Sequence, residues 1–164
     1  MRRTPSATRA LNWHGDQAEA TSGIHGCDIS IQRVDALDRE ALTAVLNAGD
    51  RQPHFLDLGC GLGAQGMRAA SMGARSLLVD LLDISGRVEQ FRSLFPYSSI
   101  QFSRSDAVDW SQSINSVEPF DIIYAQRFFH YLHYEIAREL LAALLKNATD
   151  GCKLFISVSG LISE

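Results

Sequence analysis

The chemistry in this sequence gathers at acidic residues that end short apolar runs, and at a glycine-rich turn behind the first of them. Asp57-Leu58-Gly59-Cys60-Gly61-Leu62-Gly63 follows Phe55-Leu56. Glycines between a strand and a helix adopt positive φ and let the backbone approach a ligand closely. N–H groups at the start of the helix can then meet polar or negative ligand groups. Such a turn suits any nucleotide-like ligand, and a plain glycine-rich connection has the same composition. Gly61-Leu62-Gly63-Ala64-Gln65-Gly66 also fits the GxGxxG pattern of nicotinamide and flavin sites. Asp57 discriminates between ligand classes: beside a pyrophosphate it adds like charge, whereas beside a cationic group it is complementary.

Asp80 ends the second apolar run. A carboxylate there can accept hydrogen bonds from both hydroxyls of a ribose. This supports an adenosine ligand without choosing one. Asp83 would take that role if the strand register were shifted, but it reads better as a solvated acid before the next helix. Asp106 stands four residues beyond the third run. It can accept from the exocyclic amine of adenine while the Ala107 backbone reads the ring edge. The same residue also reads as the N-cap of a helix beginning at Ala107.

The elements that must position these residues alternate between strand and helix. Leu37, Ala41, Ala44, Val45 and Ala48 recur at helical spacing, with Asp35 as N-cap and Gly49 as stop. Strands are expected at 55–58, 76–80, 100–102, 121–125 and 153–158. Helices are expected at about 64–72, 86–95 and 134–147, the last with Ile136, Leu140 and Leu144 inward. This alternation predicts an α/β, Rossmann-like three-layer sandwich with a mainly parallel sheet. Ligands in such folds bind beyond the carboxyl ends of the strands.

In this order the motifs resemble those of class I S-adenosylmethionine (SAM)-dependent methyltransferases of the small-molecule type, over about residues 35–160. The string from Phe55 to Gly63 looks like the family's first motif, and Asp80 falls at its ribose acid. Ser105-Asp106-Ala107 resembles its adenine contact. The segment Phe120-Asp121-Ile122-Ile123-Tyr124-Ala125 and its continuation to Leu132 is similar to its fourth strand. Asp150-Gly151-Cys152 stands where the family has a Pro-Gly-Gly turn, with Asp and Cys replacing the proline and second glycine. The resemblance implies SAM binding, with S-adenosylhomocysteine (SAH) as product, at Asp57, Gly59, Cys60, Gly61, Asp80, Asp106, Ala107 and the backbone around Ala125, with Leu81 packed on the adenine. It implies in-line methyl transfer, which depends on alignment and desolvation more than on a strong acid or base. A SAM ammonium and sulfonium would suit Asp57.

There is no Asn/Asp-Pro-Pro-aromatic segment after the fourth strand, no Pro-Cys pair and no paired-Glu loop, which favours a small-molecule acceptor. Arg127, His130, Tyr131 and His133 cluster in the region that can face it. His130 reads as packing at a loop-to-helix junction or as a general base. No catalytic residue is assigned. The alternatives to an enzyme are a non-catalytic SAM-binding or interaction module and an NAD(P)-dependent oxidoreductase. The latter leaves Asp57 and Asp106 unexplained.

The chain has 164 residues and a formal charge of -4, which gives no strong nucleic-acid signal. No apolar run approaches the roughly 20 residues of a membrane span, so a cytoplasmic protein is expected. Cys27, Cys60 and Cys152 show no metal-ligand spacing. Residues 1–33 read as a flexible arm or lid carrying Trp13, His14 and His25, and 34–164 as the SAM-binding core. The family's sheet continues past its fifth strand, so C-terminal strands are expected to be missing here. Three readings follow: the chain is a fragment, a dimer or partner covers the fifth-strand edge, or the fold is curtailed.

Overall fold

A computed structural model describes residues 34–158. Helix α1 (Ala36–Leu46) precedes β1 (His54–Leu58), α2 (Ala64–Ser71), β2 (Arg75–Asp80), α3 (Ser85–Leu94) and β3 (Ser99–Arg104). After these come α4 (Ala107–Ser111), β4 (Phe120–Gln126), α5 (Tyr134–Lys146) and β5 (Ala148–Ser157). The five strands form one sheet in the order β3-β2-β1-β4-β5. Every neighbouring pair is parallel. The chain therefore steps outward from β1 to β3 and then returns across the sheet to β4. This places the switch in strand order between β1 and β4.

Side-chain alternation sorts the strands between two layers. Phe55, Ile122 and Tyr124 pack with Ala41, Leu42, Ala44 and Val45 of α1 and Ala69 of α2. Leu78 and Ile100 meet Ala70 of α2 and Val88 of α3. The opposite parity, Leu56, Leu58, Leu77, Val79, Ile123 and Ala125, meets Trp110 of α4 and Leu140 and Leu144 of α5. Phe55, Leu56, Leu58 and Ile123 have no solvent exposure. Burying each such side chain stabilises the fold by about 1.5–3 kcal/mol relative to leaving it exposed.

The three-layer architecture agrees with the sequence expectation, and the boundaries move in places. Asp35 caps α1 in a capping box with Asp38, but the helix ends at Leu46, before Gly49. Ala48, Gly49 and Arg51 instead donate to carbonyls three residues back. Strand β3 spans six residues rather than three, because Asp80 still pairs with Arg104. Strand β5 begins at Ala148 rather than at 153, since Phe120 pairs with Ala148 before the register shifts to Ile122 opposite Lys153. Ile136 is only half-buried, and the inward side of α5 is Ala137, Leu140, Leu141 and Leu144. The arm at 1–33, with Trp13, His14, His25 and Cys27, lies outside the described residues. No helix among the described residues is long and apolar enough to cross a membrane.

Candidate functional site

The turn after β1 is tied to β2 through its own backbone. Gly59 N–H and Cys60 N–H both donate to Val79 O, at 2.9 and 3.3 Å. Gly61 N–H donates to Asp80 Oδ2 at 2.8 Å, and Leu82 N–H donates to Asp80 Oδ1 at 2.8 Å. Asp80 thus locks the glycine turn against the segment that follows its own strand. Burial pushes its carboxyl above the usual range, against the opposing effect of these N–H donors. Both oxygens are held by backbone N–H groups, with Leu81 N–H adding to the hold, and the carboxylate has lone pairs left for a further donor.

The residues the sequence singles out share the carboxyl ends of β1, β2, β3 and β4. Asp57 lies beneath the glycine turn on the α1–α2 side of the sheet, 2% exposed. Its Oδ2 accepts from Gly66 N–H at 2.8 Å. Desolvation raises its pKa to about 7, with Asp80 and Asp38 adding to the rise. A glycine at 66 is required by packing: a Cβ there would lie 2.6 Å from Leu78 and 3.1 Å from Asp57 Oδ2. The third glycine of the GxGxxG string therefore serves helix-to-strand packing. The amides of Gly59, Cys60, Gly61, Gly63 and Gly66 are all engaged within the chain.

Asp106 is the N-cap of α4, and its Oδ1 accepts from Val108 and Asp109 N–H at 2.8 and 3.3 Å. Both bonds fall on one oxygen, which leaves Oδ2 for another donor. The capping reading therefore holds without removing the adenine reading. Ala107 is buried directly behind it. Leu81 is 46% exposed, an apolar surface next to Asp80. Ala125 is fully buried near the end of β4. Asp83 bonds Ser85 through that residue's N–H and hydroxyl and faces Arg104. It is a solvated acid ahead of α3, as its sequence position suggests.

Sequence reasoning missed a polar network that joins α1 to the same end of the sheet. Tyr124 donates its hydroxyl to buried Asp38, and Gln65 Nε2 donates to Asp38 O. Gln126 Nε2 donates to Asp35 Oδ2. Desolvation and the bond to Asp38 hold the Tyr124 phenol far above its ordinary value. The one legible signal was Asp35 with Asp38 three residues on.

Beyond β4, Arg127 has φ +52°, the only positive φ of a non-glycine residue among the described residues. Phe128 then lies against Gly59, where a Cβ would come within 2.4 Å of the ring. His130 stacks near Tyr131, with ring centroids 4.1 Å apart. A separate groove of about 300 Å³, lined by Ser71, Gly73, Phe95 and Tyr97, opens at the amino ends of β2 and β3, away from the acids. No group of three or more His, Cys, Asp or Glu side chains among the described residues is placed to hold a metal ion.

No protein-family model and no curated protein matches the sequence. Solved structures do match. Magnesium protoporphyrin IX methyltransferase from Synechocystis PCC 6803, crystallised with SAM, aligns at 18% identity with a TM-score of 0.55, over 68% of this chain and 52% of that one. The N-methyltransferase NodS from Bradyrhizobium japonicum WM9, crystallised with SAH, aligns at 20% identity and 0.52, over 77% and 68%. Monomeric WbdD aligns at 21% identity and 0.58, over 77% and 32%. The chain spans about half the length of the first of these. At these identities the likeness is one of fold, and with its parallel five-stranded sheet the chain has the fold of class I SAM-dependent methyltransferases.

Proposed function

We propose that the chain binds SAM at the carboxyl ends of β1–β4 and transfers its methyl group to a small-molecule acceptor. The observation that carries this reading is Asp57, a buried acid beneath the glycine turn. Its Oδ2 is held by Gly66 N–H, and the nearby Asp80 and Asp38 raise its pKa further while Arg68 lowers it. Arg68 offsets only part of this, since the net shift is upward, and SAM would supply an ammonium and a sulfonium. The same acids would disfavour a pyrophosphate, and the amides of Gly59, Cys60, Gly61 and Gly63 are bonded within the chain, which favours SAM over a nicotinamide dinucleotide.

The residues present fit the cofactor. Asp80 would accept from the ribose hydroxyls with its remaining lone pairs, and Leu81 would cover one adenine face. Asp106 Oδ2 would accept from the adenine amine, and Ala107 and the backbone at Ala125 would border the ligand. Gly59, Cys60 and Gly61 would bring main chain against its methionine end. When bound, SAM supplies an electrophilic methyl group with a thioether as leaving group. The chain's part is to hold the acceptor in line and exclude water. A cytoplasmic setting and a small acceptor remain part of this proposal.

Two measurements test it. SAM incubated with the chain and a panel of small hydroxy, amino and carboxylic acids should yield SAH only when an acceptor is present. Tight SAH binding with no turnover on any acceptor would instead support a non-catalytic SAM-binding module.

A further inference from the structure

The carboxyl end of β4 holds a cation that the cofactor reading does not use. Acids dominate this end of the sheet: Asp35, Asp38, Asp57, Asp80 and Asp106 all lie there, and each is bonded to another partner. Arg127 nevertheless makes no side-chain hydrogen bond or ion pair with any described residue, although it is only half-exposed. Exposed arginines often go unpaired, but a half-buried one gives up hydration and normally recovers it from a partner.

Its backbone is the second observation. A long side chain at φ +52° is an uncommon and strained choice, one that glycine or asparagine would adopt more cheaply. The conformation is held from β5: Arg127 N–H donates to Ser157 O at 3.1 Å and to Ser157 Oγ at 3.0 Å. Strain maintained in this way at a strand end is a pointer to function.

The third observation is His130. Its Nδ1 is buried without any hydrogen-bond partner, and Arg127 lies close enough to disfavour its protonation, second to desolvation. An unpartnered guanidinium and an unpartnered imidazole nitrogen therefore lie near one another in the segment after β4. An anionic oxygen there would accept from the guanidinium fork, and from His130 in its Nδ1–H form once the ring turns toward it, since Nδ1 is sealed from solvent as it stands.

We propose that Arg127 and His130 form an acceptor subsite that binds a carboxylate or phosphate group, so that the methyl acceptor is a small anionic molecule. This rests on the methyl-transfer reading and deepens it. Tyr131 follows the pair, its ring 4.1 Å from that of His130, and would offer apolar surface to the body of such an acceptor. Its negative charge also complements the positive charge that SAM brings to the same end of the sheet.

The test uses the whole chain loaded with SAH, titrated calorimetrically with benzoate, with benzamide as the neutral comparator and with inorganic phosphate. Benzoate should bind at least about tenfold tighter than benzamide, as expected for loss of a charge-assisted bond. It should also shift the ring NMR signal of His130. Arg127→Gln should weaken benzoate about tenfold or more and leave SAH affinity within about twofold. Arg127→Lys, which keeps the charge but loses the planar fork, should fall between and serves if the glutamine variant does not fold. Phosphate binding in place of benzoate would identify the anion class as phosphate. Equal affinity for benzoate and benzamide with no phosphate binding, or anion binding unchanged in both variants, would overturn the subsite. If wild-type SAH binding fails, the methyl-transfer reading falls, while titration of the unloaded chain still tests Arg127.

Discussion

Asp57 and Asp80 are both carboxylates at strand ends, yet the structure gives them different work. Asp80 is half-exposed and can still receive donors, whereas Asp57 is sealed beneath the turn with a pKa near 7. An unfolded aspartate titrates at about 3.9. Between about pH 4 and 7 the folded chain therefore keeps a proton that the unfolded chain has lost. Stability from this group falls as pH rises through that window and levels off above it, by up to about 4 kcal/mol. Denaturant titrations at about pH 5 and pH 8 should show a smaller loss for Asp57→Asn than for the wild type; parallel losses would place the titration elsewhere. A cationic ligand reverses the preference, so SAM binding near neutral pH should release a proton. Calorimetric heats that vary with buffer ionisation enthalpy would reveal it. For Asp80→Ala, the loss of charge-assisted hydrogen bonds should weaken SAH binding by about 1.5–3 kcal/mol; unchanged affinity in a folded variant would reject the ribose assignment. Residue types and spacing were enough to find these acids. The burial that separates their roles was not legible, because it depends on α2 lying across β1.

At the scale of elements, the glycine turn and the segment after β4 depend on each other. Gly59 has φ +67°, and an added Cβ would collide with the Phe128 ring. Gly59→Ala should therefore cost about 1–3 kcal/mol of stability from backbone strain alone, and Phe128→Ala in the same chain should recover only the steric part. A thermal melt of the single and double variants separates the two contributions. The cap at Asp35 is a second linkage, since its carboxylate serves both the Asp38 N–H and Gln126. Asp35→Ala should lose about 1 kcal/mol or more, a typical cap plus the tie to β4. Strands β1, β2 and β4 were legible as short apolar runs, and helices α1, α3 and α5 by apolar residues at helical spacing. Helix α4 is five residues long, too short to show one, although Asp106 marked its start. The bond from Tyr124 to Asp38 spans 86 positions in sequence, so no local pattern could reveal it.

For the whole molecule, strand-helix alternation was sufficient to predict a parallel, two-sided sheet, because parallel strands need crossovers and buried faces. The order β3-β2-β1-β4-β5 follows from no local signal and emerges only from the fold. It brings Asp57, Asp80, Asp106 and Ala125 to one end of the sheet, around the switch between β1 and β4. The segment after β4 is less legible: Arg127 and His130 drew notice as residue types, but the positive φ and the orphan nitrogen on which their proposed role rests are properties of the fold.

The central claim, that this end of the sheet binds SAM, is tested most directly by calorimetric titration of the chain with SAM, SAH and NADH in parallel. The account predicts saturable binding of SAM and SAH, weakened by Asp80→Ala, and no binding of NADH. Binding of NADH alone, or no binding of any of the three to a folded chain, would contradict it.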